Sequence, residues 1–272
     1  MFAIRAMERA GYPGPGGGPP AWSALSGVDS ALYSMRENFL LHKLHSLTGI
    51  VPIGFYLVQH LTLNTFSLGG PDKFNGVIAF FDGMPLHFQL ALKAVAIWIP
   101  LIFHAVYGLF ITQRGKQNYS ESAYKYRENR YYFLQRVSGI VAFLFLCYHM
   151  TTTSIFGKMY GAETTIQYHN WAGTLSQPVL GIPYLILVVY IVGIVASSYH
   201  FSYGVWNFCI RWGVTVSDRA QNATAKLSQA LFFGVSILGI AALVGFFNPI
   251  FMESESVEAK SPAVSQSGPV DL

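Results

Sequence analysis

Charge is scarce in this chain. Of 272 residues, 11% are Asp, Glu, Lys or Arg and 52% are hydrophobic. A soluble domain carries roughly 25% charged residues, so with a mean hydropathy of +0.39 a water-soluble globular protein is excluded and an integral membrane protein remains. Cysteine is scarcer still. Cys147 and Cys209 lie in apolar segments and read as buried thiols that pack as small hydrophobes. No C-x-x-C-H stretch is present, which excludes covalent attachment of a c-type haem. No apolar run leading to a cleavage site stands at the start, so no signal peptide is expected there. Between the apolar segments there is no Cys-, Ser- or Gly-based motif of a soluble catalyst. The net charge of +4 and pI near 9.0 call for no nucleic acid, because the basic residues fall beside apolar segments.

Apolar runs, by contrast, are plentiful. Residues 1–37, with Tyr12-Pro13-Gly14-Pro15-Gly16-Gly17-Gly18-Pro19-Pro20, read as a flexible Gly/Pro-rich arm. Five segments follow at about 38–66, 86–112, 132–155, 180–209 and 228–248, each long enough to cross a bilayer, which takes roughly 20 residues. The expected fold is an all-α membrane protein, a five-helix transmembrane bundle over 38–248. Residues 249–272, with Glu253, Glu255 and Glu258, read as an acidic, disordered tail. Basic residues set the orientation. Arg5, Arg9, Arg36 and Lys43 precede or open the first segment. Arg114, Lys116, Lys125, Arg127 and Arg130 lie between the second and third, and Arg211, Arg219 and Lys226 between the fourth and fifth. These predict a cytoplasmic N-terminus.

Two stretches repeat. Phe103-His104-Ala105-Val106-Tyr107-Gly108 ends the second segment and Tyr199-His200-Phe201-Ser202-Tyr203-Gly204 the fourth. A histidine in such apolar sequence must be ligated, paired or hydrogen-bonded. Gly108 and Gly204, one helical turn on, leave room for something flat, and haem is the candidate. The alternative is a helix-packing glycine beside a histidine bonded to a carbonyl. Segments one and three are also related. Thr48-Gly49-Ile50-Val51 precedes His60 by eleven residues counted from the glycine, and Ser138-Gly139-Ile140-Val141 precedes His149 by ten.

The alternating direction of the segments places His60 and His149 at an outer level and His104 and His200 at a cytoplasmic one. At ~1.5 Å rise per residue the levels lie on the order of 10–15 Å apart. Each level can hold one haem between two imidazoles, a ligation suited to electron transfer. A four-histidine metal cluster would need one depth. A proton relay through histidines would not need the glycines. His45 and Arg136, at the inner ends of helices one and three, suit haem propionates, although His45 also fits an interfacial histidine. Asp82, in Phe81-Asp82-Gly83-Met84-Pro85, is the acid placed to exchange protons with a quinone, or else a turn aspartate.

Leu44-His45-Ser46-Leu47-Thr48-Gly49, Gln59-His60-Leu61, Phe103-His104-Ala105-Val106-Tyr107-Gly108, Leu134-Gln135-Arg136-Val137-Ser138-Gly139, Tyr148-His149, His200-Phe201-Ser202-Tyr203-Gly204 and Trp212-Gly213-Val214-Thr215-Val216 together resemble a known family. It is the cytochrome b membrane anchor of bacterial succinate:quinone oxidoreductase (succinate dehydrogenase or fumarate reductase), in its single-polypeptide, di-haem form. The likeness runs from about Leu40 to Gly245. It implies two haems b, a proximal one on His104 and His200 and a distal one on His60 and His149. It also implies a flavoprotein and an iron–sulfur subunit on the cytoplasmic face, electron delivery to quinone (menaquinone by the di-haem likeness), and residence in the bacterial cytoplasmic membrane. The dicarboxylate-oxidising site would lie on the flavoprotein, not on this chain. The alternatives are a di-haem cytochrome b of another membrane dehydrogenase or reductase, and a haem-free proton-path protein.

Overall fold

The computed structural model describes residues 39–114, 127–155 and 166–251. The Gly/Pro-rich arm lies outside the described residues, as does the acidic tail from residue 252. The chain divides into two compact units, Met1–Leu44 and His45–Leu272. Of the first, residues 39–44 are described: a helical stretch in which the Lys43 ammonium lies 5.3 Å from the Phe39 ring centre.

Among the described residues there are helices, turns and one isolated bridge, Val179–Ile182, and no strand. Five helical spans are long and apolar enough to cross a membrane: α1 (Phe39–Gly69), α3 (Leu86–Gln113), α4 (Asn129–Thr153), α6 (Leu185–Arg211) and α7 (Asp218–Phe251). Two short helices lie in the connections, α2 (Pro71–Asp82) and α5 (Tyr168–Ser176). The last span begins about ten residues before the apolar run that announces it. Ser217, in extended conformation, accepts a hydrogen bond from the Ala220 N–H at 3.3 Å, and Asp218 opens the first turn. A capping hydroxyl and an acid at the positive helix end start a helix whatever its hydropathy. Conversely, α6 starts later than expected. Leu180, Gly181 and Tyr184 all have positive φ (53°, 77° and 58°), and that turn cannot be helical.

The short helices make one end of the bundle the most tightly packed part. Phe74 of α2 and Tyr168, Ala172 and Leu175 of α5 are buried with Ile186, Tyr190 and Ile194 of α6 and Leu243 and Phe246 of α7. Polar contacts lock this capped end. The Tyr168 hydroxyl donates to the Gly245 carbonyl, and the Tyr168 N–H donates to Asn75 Oδ1 at 2.9 Å. Ser67 Oγ donates to the Ala242 carbonyl at 2.6 Å. Burial pushes the Tyr168 phenol above its ordinary pKa. At the opposite, basic end, Trp212 Nε1 donates to Ser46 Oγ at 3.0 Å and Trp206 Nε1 to the Gln221 carbonyl at 3.1 Å. α6 and α7 supply most of the buried residues within the spans, whereas the most apolar stretch of α3 has none. α3 instead walls a cavity.

Candidate functional site

One cavity of about 360 Å³ reaches both histidine levels. Its walls include His45, His60, His104, His149 and His200, the glycines at 49, 108, 139 and 204, and the cations Lys93, Arg136 and Arg211. Its size falls in the range of cofactor pockets, about 300–1,000 Å³. The histidines meet in twos. His104 and His200 have ring centres 5.9 Å apart with planes inclined at 83°. His60 and His149 have centres 5.8 Å apart, inclined at 72°. Among the described residues no three His, Cys, Asp or Glu side chains gather as a metal site would require.

At the basic end each imidazole is held by the neighbouring helix. His104 Nδ1 lies 2.9 Å from the His45 carbonyl, and His200 Nδ1 lies 2.9 Å from the Gln135 carbonyl. A carbonyl only accepts, so each Nδ1 is the protonated nitrogen and each Nε2 keeps its lone pair. One turn beyond each carbonyl stands a glycine. A Cβ on Gly139 would come within 2.7 Å of the His200 ring, and one on Gly49 would strike the His104 ring. These glycines, on the partner helices, let the rings lie against the backbone. Thr48 Oγ1 and Ser138 Oγ donate to the same two carbonyls at 3.0 and 3.1 Å. The repeat noticed in the sequence is therefore a contact made twice: carbonyl, hydroxyl, glycine and facing imidazole.

The side chains on those carbonyl residues differ. His45 stacks on His104, with centres 4.1 Å apart and planes 7° from parallel. Gln135 instead donates from Nε2 to the His200 carbonyl at 2.8 Å. Gly108 and Gly204, expected to clear space for haem, do line the cavity. The space their absent side chains leave faces His45 Nε2 and Gln135 Nε2, at 3.0 and 3.4 Å from a built Cβ. Arg136, expected at a propionate, lines the cavity with its guanidinium 4.4 Å from the Tyr132 ring centre.

At the capped end the partners are side chains. His149 Nδ1 lies 3.0 Å from the Tyr190 hydroxyl. Asn64 Nδ2 donates to the His60 carbonyl at 2.8 Å and stands 3.4 Å from His60 Nε2, at the outer edge of hydrogen-bonding distance. Lys93 enters the cavity wall here, its Nζ 3.4 Å from Gln89 Oε1. Asp82, expected to exchange protons with a quinone, is exposed at the end of α2 and lines neither pocket. The carboxylate that does line a pocket at this end is Asp72. It borders an open hollow of about 470 Å³ together with Gln59, Leu63, Phe66, Lys73 and Phe80. Gln59 adjoins His60 in the chain. Asp72 carries no signal in the sequence, because it sits in the first turn of a helix that hydropathy does not reveal.

The residues fit a flat metalloporphyrin. With metal–imidazole bonds of about 2 Å, two imidazoles on opposite faces of one metal have ring centres about 6 Å apart, close to both spacings seen. The walls are mostly apolar, and cations suited to carboxylate groups stand at both ends of the cavity. A membrane bundle with internal, facing imidazole pairs has the ligand set of a bis-histidine cytochrome. No family model matches the chain. It is 37% identical over 213 residues to the succinate dehydrogenase cytochrome b558 subunit of Bacillus subtilis (strain 168), a match covering 78% of this chain and 99% of that protein. The chain belongs to the family of succinate dehydrogenase cytochrome b subunits.

Proposed function

We propose that the chain is the quinone-reacting, electron-transferring membrane subunit of a succinate:quinone oxidoreductase. In this reading it holds one haem b between His104 and His200 and a second between His60 and His149. The observation that carries the reading is the arrangement of four imidazoles as two facing pairs within one apolar cavity. A haem held by each pair would supply one-electron transfer. The protein groups do the rest. Carbonyls of His45 and Gln135 accept from Nδ1 of His104 and His200 and so would leave Nε2 to a metal, while the Tyr190 hydroxyl orients the His149 ring through Nδ1. Arg136, Arg211 and His45 at one end and Lys93 at the other meet propionate carboxylates, which need charged partners in apolar surroundings. The apolar walls exclude water.

The basic connections set the N-terminus and the basic end at the cytoplasmic side of a bacterial membrane, where a flavoprotein and an iron–sulfur subunit dock. Menaquinone reacts at the capped end, beside His60, with Asp72 as the proton-exchanging carboxylate of the adjoining pocket.

The test is haem analysis of histidine variants in the intact complex. Pyridine haemochrome should give two b haems per chain. His104→Ala or His200→Ala should remove the basic-end haem and abolish succinate-driven reduction of the other. His60→Ala or His149→Ala should remove the capped-end haem and leave the first reducible by succinate. Single variants of one pair that deplete different haems would overturn the assignment.

A further inference from the structure

His60 follows Gly49 by eleven positions on α1, and His149 follows Gly139 by ten on α4. Both glycines occupy the same place, each against the ring of a basic-end histidine. Both histidines also reach the same place, facing each other at the capped end. In two uninterrupted α-helices this cannot happen. One extra residue turns a side chain by ~100° about the helix axis and moves it ~1.5 Å along it, which would carry the His60 ring out of the cavity.

α4 is α-helical throughout the interval, from Arg127 to Met150. α1 is not: Gly49–Gly54 is a π-turn with Pro52 inside it. Closing i→i+5 takes one residue more than closing i→i+4, so a single π-turn absorbs one extra residue. Pro52 has no N–H to return to the Thr48 carbonyl, and in an α-helix its ring would collide with that carbonyl. The widened turn also packs against α6. Gly54 is buried, and a Cβ there would run into the Phe201 ring.

We propose that the Gly49–Gly54 π-turn is an alignment device, which takes the eleventh residue out of helical phase and so brings His60 to face His149. The inference rests on the reading of that pair as the ligands of one haem. It makes an unusual demand: one particular residue of a membrane-spanning helix is dispensable because it is the surplus one.

The experiment compares single-residue deletions in the intact complex, reading haem-to-protein ratio and the low-spin EPR signal and midpoint potential of each haem. Deleting Pro52 puts His60 ten positions after Gly49, the spacing of α4, and both haems should be retained with their two low-spin signals. Deleting Ala142, in the all-α interval of α4, should lose most of the capped-end haem and keep the basic-end one. If deleting Pro52 costs the capped-end haem as much as deleting Ala142 does, the alignment role is rejected. If neither deletion costs it, the role is likewise rejected. His149→Ala tests the underlying reading separately. A low-spin capped-end haem surviving in that variant would reject the pair itself, whatever the deletions give.

Discussion

The basic-end and capped-end histidine pairs are secured by different kinds of group. At the basic end the holding atoms are two backbone carbonyls, each one turn before a glycine. At the capped end a tyrosine hydroxyl meets the His149 ring and an asparagine amide approaches the His60 ring at 3.4 Å. A carbonyl is available at every position whatever the side chain. The basic-end contact can thus appear in both halves of the bundle while residue 45 is histidine and residue 135 glutamine. A side-chain partner has to be placed by sequence, and the two capped-end histidines share none. The repeat is accordingly exact in its backbone contacts at one level and needs a π-turn to reach the other.

The glycines offer the strongest way to break this comparison. Gly49→Ala and Gly139→Ala put a methyl into the space of the His104 and His200 rings. Overpacking of that kind costs about 1–3 kcal/mol. Each variant should lose much of the basic-end haem, seen as a fall in its share of the reduced b-band, with the capped-end haem unchanged. Gly108→Ala and Gly204→Ala meet side chains, with nearest atoms at 3.0 and 3.4 Å, and should lose far less. Equal losses from all four would mean that the rings do not depend on backbone clearance.

A milder change sharpens the contrast between the two halves. Gln135→Leu removes the donor to the His200 carbonyl but keeps the backbone carbonyl that holds the ring. A lost hydrogen bond of this type is worth about 1 kcal/mol. The basic-end haem should remain, with a shifted midpoint potential and a dissociation constant raised by less than about tenfold. Complete loss of that haem would show that the side chain, and not the carbonyl, is the main support. The smallest effect is expected at Asp82. Because it is exposed and lines neither pocket, Asp82→Asn should leave quinone turnover at the wild-type rate, whereas Asp72→Asn should lower it without altering either haem spectrum. The reverse result would return the proton-exchanging role to Asp82.

The membrane class and the pairing of histidines were legible because both are one-dimensional signals: long apolar runs, and histidines where hydrocarbon is expected. The structure brings together the same two pairs that alternating span direction predicts. Less legible was anything made between helices. Thr48-Gly49 and Ser138-Gly139 stood out as a repeat, but their facing rings lie on other spans, so the room these glycines give the rings went unread and clearance was sought only for a haem, at Gly108 and Gly204. The eleven-against-ten spacing was visible and its cause was not, since a π-turn leaves no mark on hydropathy. α2 and α5 escaped notice because a short helix buries a few residues against distant partners, as Phe74 and Tyr168 do, without an apolar run of its own.

Ser67 lies near the end of the first membrane span, and the carbonyl it bonds, that of Ala242, lies 175 residues later in the last. A chain made from its N-terminus at about 5–20 residues per second therefore leaves the far end of α1 without its partner for many seconds. All four paired histidines are in the membrane once α6 has inserted, because none lies on α7. The contacts from Ser67 and Tyr168 that close the capped end wait for α7. In the order of biogenesis, all four histidines are in place before the capped end is closed.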